Sequence, residues 1–279
     1  SGEEVEEGNN NVFGSIDQDA KRRDFSINSC YYDASNGQLL DFNGAMEDFK
    51  KRRISSVIPV DESFVEDPVR MIRAIKYSVM TGFTLRMNIK VAIKKYNAEL
   101  GRVSTSRLTE EVNKILASGH SRPIINELKR YKLLPFILPA FSIYSDYAQV
   151  QTNLADLDER VMAAKMNKGP EVVLADMISA LVDPLIVFTA EQLSAEQRFK
   201  ETFRQIKVLV SPMTPPNYDV ELASERLLNE RGFKTPRNCV RPPRPAARPP
   251  RKNAPAGRRE GTPGKKRRRG TSGGAKGKK

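Results

Sequence analysis

Residues 62–77 read ESFVEDPVRMIRAIKY, and the fold of the chain is read outward from this stretch. Asp67 followed by Pro68 predicts a helix start, with Asp67 as N-cap and Pro68 at the first helical position, where a missing N–H costs little. Val69, Ile72, Ile75 and Val79 recur at helical spacing as one apolar stripe, and Gly82 predicts the stop. Asp67, Arg70 and Arg73 stand three residues apart on another edge. Lys76 continues that edge, drifting by about 60° per step at about 100° per residue. An acid and a row of cations at a helix start can hydrogen-bond a base edge and offer charge to phosphates. A purely structural amphipathic helix shows the same pattern.

Towards the N-terminus lies Arg22-Arg23-Asp24-Phe25-Ser26-Ile27-Asn28. Two guanidiniums suit a triphosphate, because arginine presents a rigid fork of donors to phosphate oxygens. The neighbouring carboxylate and amide could bind ribose hydroxyls or orient the arginines. A solvated charge cluster on a surface loop reads the same way. The run SINSCYYD (26–33) is β-rich, breaks in the turn DASNGQ at Asn36-Gly37, and returns as the strand LLDF.

Downstream the pattern is helical. Helices are expected over 88–98, over RLTEEVNKILASG (107–119) and over RPIINELKRY (122–131), and then over 171–182, about 191–209 and 218–230. In the second of these Leu108, Val112, Ile115 and Leu116 point inward and Gly119 is the stop. The order is the end of an α/β unit followed by helices, an α+β chain without internal repeats.

Composition narrows the chemistry. Cys30 and Cys239 are the two cysteines and His120 the one histidine of the 279 residues, which excludes a disulfide framework, a thiolate zinc site and a histidine metal site. His120 reads as a polar surface residue after a helix end. No run of 18 apolar residues exists, and the acidic start SGEEVEEGNNN lacks the features of a signal peptide, so a bacterial cytoplasmic protein without a membrane helix is expected. The net charge is +13, but residues 231–279 hold 18 Lys/Arg against one acid, Glu260, so the rest is net acidic. This Arg/Pro/Lys-rich segment has almost no large apolar side chains and is expected to be disordered and to attract RNA or other polyanions.

Taken together and in this order, NNVFGSIDQDAKRRDFSINSCYYD and ESFVEDPVRMIRAIKY resemble the class II nucleotidyltransferases, the family of bacterial poly(A) polymerases and CCA-adding enzymes. RLTEEVNKIL resembles the next family motif, with Arg107 and Glu111 as neck residues. The resemblance implies that Arg22 and Arg23 face the triphosphate or ribose, that Asp24 supports catalysis or sugar binding, and that Asn28 braces the loop. It implies that Asp67 and Arg70 pair with the nucleobase, that Glu66 buttresses Arg70, and that Arg73 and Lys76 contact phosphates. Lys76 departs from the family's arginine there and loses its bidentate fork. VFGSIDQDA, Tyr31-Tyr32 and the basic tail lean towards the poly(A) polymerase branch.

The implied activity is template-independent addition of AMP from ATP to RNA 3′ ends, with Mg²⁺ in the full-length enzyme. CCA addition to tRNA and a non-catalytic RNA-binding module are the alternatives. The family's Gly-rich loop and Asp-x-Asp strand lie well upstream of the Arg-Arg-Asp triplet, whereas 21 residues precede Arg22. Asp17-Gln18-Asp19 is no substitute, since family members carry a similar acidic segment there in addition to the catalytic pair. The chain is therefore expected to be an N-terminally truncated member that lacks the metal ligands and is inactive alone. Its expected divisions are the end of the head (1–60), a helical neck (61–120), a helical body (121–230) and the tail (231–279).

Overall fold

The computed structural model describes residues 15–188 and 193–241. Ser15 and Gln18 form a capping box at the start of α1 (Ile16–Lys21). The chain turns through Arg22–Asn28 into β1 (Cys30–Asp33) and β2 (Gln38–Asp41), which pair antiparallel with Cys30 opposite Asp41. The turn is held by its own side chains: Asp33 accepts the Ser35 N–H and Asn36 the Gln38 N–H, each at 2.9 Å. Helix α2 (Ala45–Lys50), which the sequence pattern does not announce, starts where the Asp41 carboxylate accepts the N–H groups of Ala45 (2.8 Å) and Met46 (2.9 Å). The short strand β3 (Arg53–Ile54) pairs in parallel with β4 (Thr84–Leu85). The next residue, Ser55, accepts the Ser26 N–H at 3.0 Å, so the backbone here ties the Arg22–Asn28 loop to the segment after residue 82.

Helix α3 (Val60–Glu66) leads into α4 (Val69–Thr81). The boundary falls one residue later than expected, with Pro68 as N-cap and Asp67 closing α3; Asp67 Oδ1 still accepts the Val69 N–H at 3.2 Å, and Gly82 ends the helix at φ +68°. Met71, Ile72 and Ala74 are wholly buried, and each large apolar side chain so placed contributes about 1.5–3 kcal/mol. Arg70 and Lys76, which the spacing put off the apolar stripe, are buried as well. Two elements cover them: the Arg22–Asn28 loop and α6 (Thr105–Leu116), which follows α5 (Met87–Tyr96). Leu108, Val112, Ile115 and Leu116 of α6 face the core as expected.

The body comprises α7 (Ser121–Arg130), α8 (Leu134–Ile137), α9 (Pro139–Tyr144), α10 (Ala148–Lys165), α11 (Leu174–Val182), α12 (Ala195–Val210) and α13 (Asn217–Glu230). All but α8, α9 and α10 answer to helices read from the sequence. Asp158 on α10 caps α7, accepting the N–H groups of Ser121 (2.6 Å) and Arg122 (2.9 Å). Gly119 sits beneath it at φ +78°, where a Cβ would lie 2.7 Å from the Met162 side chain. One apolar core runs on from Phe25 to Leu227.

Residues 231–241, expected as the beginning of a disordered tail, are packed. Arg231 reaches Asp183 at 2.6 Å, and Phe233 stacks on Phe188 with ring centroids 5.5 Å apart. The rest of the tail lies outside the described residues, as do residues 1–14. Among the described residues no helix is long and apolar enough to cross a membrane.

Candidate functional site

Helix α1 and the loop after it open a cleft of about 660 Å³ lined by Asp19, Arg22, Arg23, Asp24, Asn28, Arg73 and Tyr77. The Asp19 carboxylate is its hub. Oδ1 accepts from Arg22 Nε at 2.7 Å, and Oδ2 accepts from Arg23 Nε at 3.0 Å and from the Tyr31 hydroxyl. The hydrogen bond from Tyr31, then those from Arg23 and Arg22, hold the Asp19 carboxyl far below the usual carboxylate range. The motif reading weighed Asp19 only as a metal ligand and Tyr31 only as a mark of one branch, and gave neither a part in holding the arginines. The signal was there, because Asp19 precedes the two arginines by three and four residues, the spacing at which helical side chains meet.

Asp24 faces the other way, into the helices. Its Oδ1 accepts from Arg70 Nε at 3.0 Å and its Oδ2 from Arg73 Nη1 at 2.9 Å. Arg73 Nε reaches on to Glu111 Oε1 at 3.0 Å, and Lys76 Nζ to Glu111 Oε2 at 2.8 Å. Arg70 Nη1 meets Glu66 at 2.9 Å and the backbone and hydroxyl oxygens of Ser63 at 3.3 Å. The result is an unbroken alternation of charge, Glu66–Arg70–Asp24–Arg73–Glu111–Lys76, across three chain segments.

Burial works against the charge of Arg73, but the hydrogen bonds it donates to Asp24 and Glu111 outweigh it and raise its pKa above the ordinary arginine value. Burial likewise pushes the Glu111 carboxyl up, yet Lys76 and Arg73 bring it below its ordinary value. One step along the same helices, Asp67 Oδ2 accepts from Arg107 Nη2 at 2.7 Å. Arg107 and Glu111, a turn apart on α6, thus meet Asp67 and the pair Arg73–Lys76 on α4.

The structure brings all of the expected residues into this one region. Arg22, Arg23, Asp24, Asn28 and Arg73 line the cleft, Arg70, Glu66, Lys76 and Glu111 stand behind it on the ladder, and Asp67 pairs separately with Arg107. Lys76 is buried with its ammonium on Glu111, so it faces an acid within the protein. The carboxylates here do not suit a divalent cation. Asp19 and Asp24 are each bound by two guanidiniums, and Asp17 is paired with Lys21 at 2.9 Å. Among the described residues no group of three or more Asp, Glu, His or Cys side chains could hold a metal ion.

Two family models match the chain: "Poly A polymerase head domain" over residues 2–55, and "Probable RNA and SrmB-binding site of polymerase A" over residues 82–144. Poly(A) polymerase I of Salmonella typhi is 32% identical over 180 residues, which are 64% of this chain and 37% of that protein. A CCA-adding enzyme of Bacillus licheniformis is 37% identical over 124 residues, 43% of this chain and 31% of that one. The chain thus spans about a third of the length of the curated relatives it matches. A solved tRNA nucleotidyltransferase, complexed with a primer tRNA and an incoming ATP analog, superposes with a TM-score of 0.53 at 22% identity, covering 78% of this chain and 59% of that one.

The fold is accordingly the α+β fold of a nucleotidyltransferase, helical for most of its length. The chain's matched segments are similar to those of the nucleotidyltransferases that include the bacterial poly(A) polymerases and CCA-adding enzymes.

Proposed function

We propose that this chain supplies the nucleotide-holding and RNA-facing part of a template-independent polynucleotide adenylyltransferase, which transfers AMP from ATP to RNA 3′ ends and releases pyrophosphate. The observation that carries this reading is Asp24, which joins the arginine loop to the start of the neck helix through Arg70 and Arg73. A nucleotide bridging the two would have its triphosphate at Arg22 and Arg23 and its base near Asp67 and Arg70. Arg70 has Nε on Asp24 and Nη1 on Glu66 and Ser63, and among the described residues no hydrogen bond engages Nη2. That nitrogen can donate to a base acceptor, while the Asp67 carboxylate can accept from an exocyclic amine.

Asp24 acts in this scheme by orienting the two arginines, with Asn28 at the mouth of the cleft. Arg73 adds positive charge behind the phosphates, and Lys76 acts through Glu111. Residues 82–144 and the basic tail are the surfaces for RNA, and the bacterial cytoplasm is the setting. The chain divides in function into the end of a head, a neck, a body and a tail with the boundaries read from the sequence, the tail beginning after the packed residues 231–241. Mg²⁺ chemistry requires paired carboxylates, which belong to residues other than those described. The reading for polyadenylation rests on the poly(A) polymerase I relatives; the CCA-adding relative keeps CCA addition as the alternative.

The test is direct. The 279 residues alone, given labelled ATP, Mg²⁺ and an RNA primer, should yield no extension. Joined to a segment bearing the Gly-rich loop and Asp-x-Asp, they should extend the primer with A in preference to C, G or U. Tailing by the chain alone would show that its own carboxylates suffice, and a product ending in C-C-A would decide for the alternative.

A further inference from the structure

We infer that Asp19, backed by Tyr31, is the positioning residue of the cleft, holding Arg22 and Arg23 so that both present their free ends to a triphosphate. The inference rests on the reading of the cleft as a phosphate site and adds a residue to it. Its basis is which nitrogens are engaged. Arg22 gives Nε and Nη2 to Asp19 Oδ1, and Arg23 gives Nε and Nη2 to Oδ2. A guanidinium has two edges, and the Nε–Nη2 edge of both arginines is taken by one carboxylate. Among the described residues no hydrogen bond engages Nη1 of either. The Tyr31 hydroxyl donates to the same Oδ2 and accepts from Arg23 Nε at 3.3 Å, which fixes the carboxylate from the strand side.

Two flexible side chains, 79% and 46% exposed, are thereby held together despite their like charge. Ordering them before the ligand arrives lowers the entropy cost of binding. Arg73, on the same cleft, is held in the same manner: Nε and Nη1 go to Glu111 and Asp24, and Nη2 makes no hydrogen bond among the described residues. Each arginine of the cleft thus has an acid behind it and a free nitrogen.

The rival idea is that Asp19 imitates a phosphate and must be displaced. The two differ in sign. Removing a negative charge beside a polyanion site favours binding by Coulomb's law alone, so a competitor's removal tightens binding and a positioner's removal weakens it. The experiment is a titration of the isotope-labelled full chain with inorganic tripolyphosphate. Binding is read at the Arg73 Nε–H and Tyr77 ring resonances, so that polyanion held by the basic tail does not enter.

Asp19→Asn should bind roughly 10- to 150-fold more weakly, the scale of one charge-assisted hydrogen bond. Asp19→Glu should recover part of the loss, and the thermal midpoints of both variants should stay near that of the parent. Faster exchange of the Arg22 and Arg23 Nε–H protons in Asp19→Asn should accompany the weakening. Equal or tighter binding by Asp19→Asn overturns the inference. Failure of the parent to bind, or undiminished binding by Arg22→Ala and Arg23→Ala, overturns the phosphate reading itself and the inference with it.

Discussion

Asp24 and Arg73 meet at 2.9 Å across 49 positions of sequence. Through this contact, and that of the same carboxylate with Arg70, the Arg22–Asn28 loop and helix α4 share one charge. Asp24 keeps only 17% of its side chain exposed. Its removal leaves two guanidiniums facing each other with no acid between them. Asp24→Ala should therefore destabilise the chain by about 2–4 kcal/mol, measured by urea denaturation, with Asp24→Asn losing less. A change below about 0.5 kcal/mol would mean that solvent replaces the carboxylate without loss.

Arg70→Ala should act on selectivity and on stability together. In an assembled polymerase, losing the charge-assisted hydrogen bond from Nη2 to the base, worth about 1.5–3 kcal/mol, should cut preference for ATP by roughly 10- to 150-fold in competition with CTP, GTP and UTP. The sequence placed Arg70 off the core, from which no loss of stability follows. Its burial and its bonds to Asp24, Glu66 and Ser63 change that expectation. A lower melting temperature is expected alongside the change in selectivity. An equal fall in activity with every nucleotide would leave Arg70 a structural residue only.

Glu111 carries a pH dependence whose sign follows from its direction. Its carboxyl is held below its ordinary value of 4.5 by Lys76 and Arg73 against the effect of burial. A depressed carboxyl contributes stability above the unfolded value and loses it as pH falls through the folded one. Stability should therefore decline from about pH 4.5 downward in the parent, and the decline should be shallower in Glu111→Gln. Parallel curves for the two proteins would place the acid sensitivity elsewhere.

Gly119→Ala meets both a left-handed backbone and the side chain of Met162. A loss of about 1–3 kcal/mol is expected in thermal or urea unfolding. Shortening the obstacle in the double variant with Met162→Ala should remove the steric part and leave the backbone part. If the double variant is no better than the sum of its parts, the close approach is not what Gly119 serves.

Deleting residues 242–279 removes 14 Lys/Arg. RNA affinity at low salt should fall by orders of magnitude, and the slope of log affinity against log salt should flatten. An unchanged slope would reduce the segment to a solubiliser. The cut belongs after Arg241, because a cut at 231 would also remove the Arg231–Asp183 pair and the Phe233 stack.

What was legible in the sequence was what is settled locally. The Asn36-Gly37 turn and the stop at Gly82 depend on a few consecutive residues and are where the pattern put them, whereas α4 starts one residue after the expected Asp67 cap and α6 ends at Leu116, short of Gly119. The burial of Arg70 and Lys76 was not legible, since it is imposed by a loop and a helix distant in sequence. Helix α10 escaped because its apolar residues Val150, Leu154, Leu157 and Val161 are diluted by polar ones, although their spacing is helical. Asp19 was weighed only as a metal ligand and set aside. Its real partners, Arg22 and Arg23, follow from helix spacing rather than from any motif.

The clasp of Arg231 on Asp183 and of Phe233 on Phe188 fixes where the C-terminal segment is moored. The two contacts join the end of α13 to the segment that follows α11, so the last turn of α13 cannot fray without breaking an ion pair and an aromatic stack. Amide hydrogens of that turn should therefore exchange slowly for a helix end.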